Sequence, residues 1–166
     1  MLLLEVIRLK VFNLWRDNME VAEVVWGENP ETQAIKELRK RIFVEEQGIG
    51  NEIIEDKDEK TCIQLIGVQQ GNIIGHLRIY KISHYKYKIQ RVCIDSDYRR
   101  NGFGQILIGY AEEEIKRNGG YTAILWAQQR YEAYYKKLGY SCSAFEEVIN
   151  YFKKPHIEMW KKLVYK

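Results

Sequence analysis

The residues best suited to chemistry in this sequence are Arg99-Arg100-Asn101-Gly102-Phe103-Gly104. They stand between a run of strand-forming residues and a run with helical periodicity. The glycines let the backbone approach a ligand closely and turn its N–H groups toward it. The helix that follows adds unpaired N–H groups and the positive end of its dipole. That combination suits a phosphate or pyrophosphate. A dinucleotide fingerprint needs a third glycine where Leu107 stands, and the Gly-Lys-Ser/Thr ending of a phosphate-binding loop is absent. Taken alone, the loop fits a phosphate cradle and an ordinary tight turn equally.

Other residues offer chemistry without a distinctive pattern. Residues 45–59 carry seven carboxylates (Glu45, Glu46, Glu52, Glu55, Asp56, Asp58 and Glu59) against Lys57. As a group they would attract a cationic amine; singly, each reads first as a solvated surface charge. His76 and His84 read as structural. Arg91 and Gln128 are polar residues in strands that read as buried, so each needs a partner. Cys62, Cys93 and Cys142 form no CxxC pair, which argues against a disulfide framework and a zinc site. Reduced thiols fit a cytoplasmic location.

Composition narrows the classes. The chain has 166 residues, 46% hydrophobic and 30% charged, as a soluble globular protein does. Twelve glycines with only 2 prolines exclude collagen-like and proline-rich sequences. The 12 tyrosines against 5 phenylalanines are a marked skew. The net charge of +3 is too small to indicate nucleic acid, and it resides in a C-terminal segment with Lys153, Lys154, Lys161, Lys162 and Lys166. The apolar start is broken by Glu5, Arg8 and Lys10, so neither a membrane span nor a signal peptide is expected.

These residues must be positioned by alternating elements. Residues 1–18 read as an extension and residues 19–166 as one domain. Val21–Trp26 reads as a strand. Asn29-Pro30 opens a helix that Ala34, Ile35, Leu38 and Ile42 carry to about Glu46. Thr61–Val68 and Ile73–Ile82 read as strands around a turn at Gln69–Asn72, followed by a third antiparallel strand, Tyr87–Ile94. A helix from Gly104 to Arg117 stops at Asn118-Gly119-Gly120. Tyr121–Ala127 reads as a buried strand, Tyr131–Leu138 as a short helix, and Tyr140–Ile149 and His156–Val164 as closing strands. The order implies an α/β sandwich with helices on both faces of a mixed sheet.

In this setting Arg99-x-x-Gly102-x-Gly104, after the strand Ile89–Ile94, resembles the coenzyme A pyrophosphate loop of the GNAT superfamily of N-acetyltransferases. Tyr135-Lys-Lys-Leu-Gly-Tyr140 resembles the same superfamily's Tyr-x-x-x-Gly-Phe/Tyr signature. Arg39-x-Arg41-Ile-Phe-Val-Glu-Glu-Gln47, Ala127-Gln128 with Tyr134-Tyr135, and Pro155-His-Ile-Glu-Met159 resemble motifs of the ElaA-like and YjcF-like members. A histidine common near the second strand of those members is missing from Thr61-Cys-Ile-Gln64.

The resemblance implies a GNAT-type α/β (α+β) fold with a mostly antiparallel sheet. It also implies acetyl transfer from acetyl-CoA to a primary amine by direct attack in a ternary complex, with no metal. Two strands would splay at Val92, Cys93 and Ile94 to admit the cofactor. Arg99, Arg100, Asn101, Gly102, Phe103, Gly104 and Gln105 would hold its pyrophosphate. Tyr135 matches the proton donor to the leaving thiolate, with Tyr134 as the alternate. Glu46, Arg91 and Gln128 are acceptor-site candidates, and His156 is placed to orient a nearby loop. Cys93 lies where a thioester would sit and reads as a buried hydrophobe rather than a nucleophile. The acceptor is expected to be a small-molecule or peptide amine, with no nucleic acid or membrane partner and with room for a homodimer. A non-catalytic acyl-CoA-binding or protein-interaction module on the same fold is the alternative.

Overall fold

The computed structural model describes residues 19–143 and 148–165, so the extension read at residues 1–18 lies outside them. Strand β1 (Glu20–Val24) leads to helix α1 (Pro30–Arg39). The Asn29 side chain accepts from the Thr32 N–H at 2.8 Å, which caps the helix, and Pro30 takes the first position, where no N–H is needed. The helix expected to run to Glu46 keeps its α form only to Arg39. Lys40–Glu46 continues as a π-helix in which Ile42 and Phe43 are both buried. Such wider turns recur at functional sites.

Strands β2 (Ile63–Gln69) and β3 (Asn72–Lys81) form the expected hairpin. Its central residues Gln70 and Gly71 both have positive φ, which matches the twist of the flanking strands. Strand β4 (Lys86–Ile94) is antiparallel to β3. Helix α2 (Phe103–Arg117), strand β5 (Thr122–Gln128) and helix α3 (Glu132–Lys137) follow. The strand expected over residues 140–149 is two pieces in the described residues, β6 (Ser141–Cys142) and β7 (Ile149–Tyr151); both pair with β8 (Lys154–Lys162). The β7–β8 turn is made by Phe152 and Lys153 at φ 50° and 58°, so no glycine marks it.

The sheet runs β1-β2-β3-β4-β5-β8-β6, with β7 also on β8. Among the described residues only the β4–β5 pairing is parallel. Helix α2 covers one face, where Leu107, Ile108, Ala111 and Ile115 pack on Leu77, Tyr87, Ile89, Leu125 and Met159. The α1 side covers the other face through two smaller clusters, one around Ile35 and Ile66 and one around Leu38, Phe43 and Cys93. This is the expected mixed, mostly antiparallel sheet with helices on both faces. Among the described residues no helix is long and apolar enough to cross a membrane.

Candidate active site

The site begins as a break in strand pairing. Strand β4 pairs with β5 only from Lys86 to Ile89, opposite Thr122 to Leu125. Against β3 its register shifts between His76 and Arg78, and Arg91 sits at φ 58°. One extra residue makes a bulge and reverses the alternation of side chains. Before it, Tyr87 and Ile89 join the α2-face core; beyond it Val92 and Ile94 pack there, while Cys93 joins the opposite cluster. Among the described residues the β5-facing edge of β4 beyond Ile89 therefore has no strand partner. A cavity of about 480 Å³ occupies the gap and is lined from both faces of the sheet.

On the α2 face the wall is the turn into α2. Gly102 is the helix cap at φ 81°, with Arg100 at φ 65° beside it. The N–H groups of the first helical turn have no intrahelical partners. A Cβ added to Gly102 would meet open space, whereas one on Gly104 would come within 2.8 Å of the Tyr134 hydroxyl. Arg99 is anchored on two sides: its Nη1 and Nη2 donate to both Glu46 oxygens at 2.6 and 2.7 Å, and its Nε donates to the Ile94 carbonyl at 3.0 Å. That bond holds the Glu46 carboxyl below its ordinary range. Tyr135 is buried edge-on between Tyr134 and Tyr140, and burial pushes its phenol well above its ordinary value. It therefore keeps its proton at neutral pH. Burial likewise pushes the Cys93 thiol up to about 12, which removes the thiolate a nucleophile would need.

On the α1 face the wall is built on a buried ionic network. Arg39 and Glu59, 0% and 1% exposed, pair at 2.5 Å. Arg78 donates to both Asp56 oxygens at 2.7 Å and reaches Glu59 at 2.8 Å. Arg91 donates to Asp56 at 3.1 Å and to the Tyr151 hydroxyl at 3.1 Å. Bonds from Arg78 lower the Asp56 carboxyl to about 2. His76 donates from Nε2 to Gln64 Oε1 at 2.9 Å, and burial with the nearby Arg39 and Arg78 charges keeps it neutral. Lys88 lies over the Trp126 ring, 3.0 Å from its centroid. Gln128 donates to Gln47 at 2.7 Å. His156, opposite Gln128 in the β5–β8 ladder, donates from Nδ1 to the Lys154 carbonyl at 2.8 Å. Nε2 is then the acceptor nitrogen of a neutral ring. Burial, with Lys88 adding to it, holds His156 below the ordinary imidazole value.

Residues 18–140 match the model of the Acetyltransferase (GNAT) family. The chain belongs to the GNAT family. A Bacillus subtilis protein that carries the name of an acetyltransferase is 32% identical over 129 residues, 76% of this chain and 86% of its own. The uncharacterised N-acetyltransferase YjcF of the same bacterium is 27% identical over 124 residues, 75% of this chain and 87% of its own. A solved structure from Lactobacillus plantarum, titled as an N-acetyltransferase, superposes with TM-score 0.78 at 26% identity over 89% of this chain and all of the other. Escherichia coli ElaA shares the fold, with TM-score 0.73 at 24% identity over 87% of this chain and 99% of its own. The ElaA-like and YjcF-like resemblance of the sequence motifs accords with these matches, and the chain is an acyltransferase of the GNAT type.

Of the residues read from sequence, Val92, Cys93, Ile94, Arg99, Arg100, Gly102, Phe103, Gly104 and Gln105 line this GNAT cavity, as do Tyr135, Arg91 and Gln128. Asn101 instead donates to the Tyr98 carbonyl at 3.3 Å, and Glu46 stands behind the wall as the partner of Arg99. The acidic segment does not face the cavity as an open surface. Glu46, Asp56 and Glu59 are committed to Arg99, Arg78 and Arg39, and Glu55 to Lys36. Sequence reading missed Lys88, Trp126, Tyr151 and Phe152 in the wall. Lys88 and Trp126 follow from strand alternation once the register is known, but Tyr151 and Phe152 depend on a turn without a glycine signal. The Arg39–Glu59–Arg78–Asp56 network joins α1, β3 and the segment that precedes β2, and left no local pattern.

Proposed function

We propose that the chain transfers the acetyl group of acetyl-CoA to a primary amine by direct attack, with both substrates bound at once. The observation that carries this is the opening between β4 and β5, which joins a phosphate-suited turn on one face to a separate polar wall on the other. The residues present fit the cosubstrate: free N–H groups at the start of α2, open space over Gly102, and cationic Arg99 and Arg100. Acetyl-CoA supplies an activated acetyl thioester. The chain supplies the rest. The free edge of β4 beyond the bulge offers backbone N–H donors to a carbonyl oxygen. Tyr135 holds a proton for the leaving sulfur. His156 Nε2, in a neutral ring on the α1 face, takes the proton of the attacking amine. The alkaline Cys93 thiol speaks against a covalent acyl-cysteine route.

A thermal-shift titration tests the reading. Acetyl-CoA at a hundredfold excess over its Kd should stabilise the protein by about 2.7 kcal/mol, and thiol release should follow when an amine is added. Absence of the shift, or a shift with no thiol release over a broad panel of amines, contradicts the reading.

A further inference from the structure

Resting on the transferase reading above, we propose that the acceptor is a primary amine that also carries an anionic group, which Lys88 and Arg91 bind on the α1 face of the cavity. The charge inventory points there. No aspartate or glutamate is among the described residues that line the cavity, whereas Lys88, Arg91, Arg99 and Arg100 all are. Arg99 is matched by Glu46, and with Arg100 it belongs to the turn on the α2 face. Lys88 and Arg91 stand on the other face with less compensation.

Arg91 shares its carboxylate. Three guanidinium groups, Arg39, Arg78 and Arg91, are served by two carboxylates, Asp56 and Glu59. Arginine does not shed its proton, so the cluster retains one positive charge in excess. The Arg91 Nε is buried and has no hydrogen-bond partner among the described residues, and the residue as a whole is only 8% exposed. A buried donor of this kind is costly to leave unpaired. Its guanidinium is fixed by Asp56, by Tyr151 and by the ring of Phe152, 5.1 Å away.

Lys88 is in a similar position. Its ammonium rests on the Trp126 ring rather than on a carboxylate. Glu158, the acidic neighbour, accepts from the Trp126 indole at 3.1 Å and from Ser143 at 3.0 Å. Burial and the Arg91 charge bring the Lys88 amine down to about 8, against the pull of Glu158. An incoming anion would relieve both cations, while a polycationic acceptor would meet like charge in a poorly hydrated wall. This reverses the attraction for cationic amines that the acidic segment suggested, because those carboxylates are committed to internal arginines.

The test measures acetyl transfer to glycine, β-alanine, γ-aminobutyrate and ε-aminocaproate. Each is compared with the alkylamine and the diamine of matching chain length, and aminoalkylphosphonates form a second anionic arm. The wild-type kcat/KM should follow the order anionic, neutral, dicationic, with about tenfold between the first and the last. Lys88→Glu should reverse that order while keeping the wild-type thermal shift with acetyl-CoA. A wild-type preference for diamines or plain alkylamines overturns the inference, as does an unchanged order in a folded Lys88→Glu. The wild-type order decides even where that variant does not fold. If acetyl-CoA stabilises the protein but no anionic amine is acetylated, the inference fails and the cosubstrate reading stands. If acetyl-CoA does not stabilise it, the transferase reading fails first.

Discussion

The α2-face half of the cavity is built around the backbone of one turn, and the α1-face half around side chains held by distant partners. In the first, a glycine at positive φ and the open first turn of α2 present N–H groups, and any sequence that forms that turn presents them. In the second, Lys88, Arg91 and His156 hold their places through partners on β5, β7, β8 and the loop that carries Asp56 before β2. Backbone chemistry is shared across a family because it needs few specific residues. Side-chain chemistry is where an acceptor preference can be written, since one substitution changes charge or shape.

Variants should separate the two halves. The largest effect is expected from Gly102→Glu, which puts bulk and negative charge where a Cβ now meets open space. It should abolish the thermal shift with acetyl-CoA; a retained shift would mean that the α2 turn is not the phosphate site. Tyr135→Phe should lower kcat by about a hundredfold and leave acetyl-CoA affinity near wild type. Loss of affinity instead would make Tyr135 a packing residue.

The α1 half should respond in stability as well as rate. Glu59→Gln leaves buried Arg39 without its carboxylate and should cost about 3 kcal/mol in denaturant unfolding. A cost near zero would mean that the network does not brace this wall. Asp56, held at about 2 against an ordinary 3.8, contributes stability that is fully present above about pH 4 and is lost as pH falls toward 2. Acid unfolding of Asp56→Asn should lack that component. His156→Gln should lower kcat/KM by about a hundredfold, the low end for loss of a general base. With the neutral ring as the proposed base and its pKa lowered, wild-type activity should persist as pH falls through the ordinary imidazole value and drop only below it. The variant should lose that acidic limb; an unchanged limb would remove His156 from the proton path.

The same division explains what could be read before the structure was known. The α2 half is local in sequence: the strand, the Arg99–Gly104 turn and the helix follow one another, and Tyr135 lies one strand further on. Periodicity and turn chemistry suffice for it. The α1 half depends on the Arg91 bulge, which reverses which side chains of β4 face which way, and no residue type announces a bulge. It depends also on Phe152 and Lys153 making a tight hairpin where Asn-Gly would be expected. The carboxylates of residues 45–59 were visible as a charge run, but their partners Arg39, Arg78 and Arg99 are 20, 22 and 53 residues away from Glu59, Asp56 and Glu46. Composition counts such charges without showing that they are already paired.

The central claim is that the two halves are occupied together. Initial-rate kinetics with acetyl-CoA and an acetylated amine both varied test it most directly. Double-reciprocal lines that intersect are predicted, as direct attack by the amine on the bound cosubstrate requires. Parallel lines, with an acetylated protein trapped in the absence of amine, would contradict the account and move the chemistry onto a residue such as Cys93.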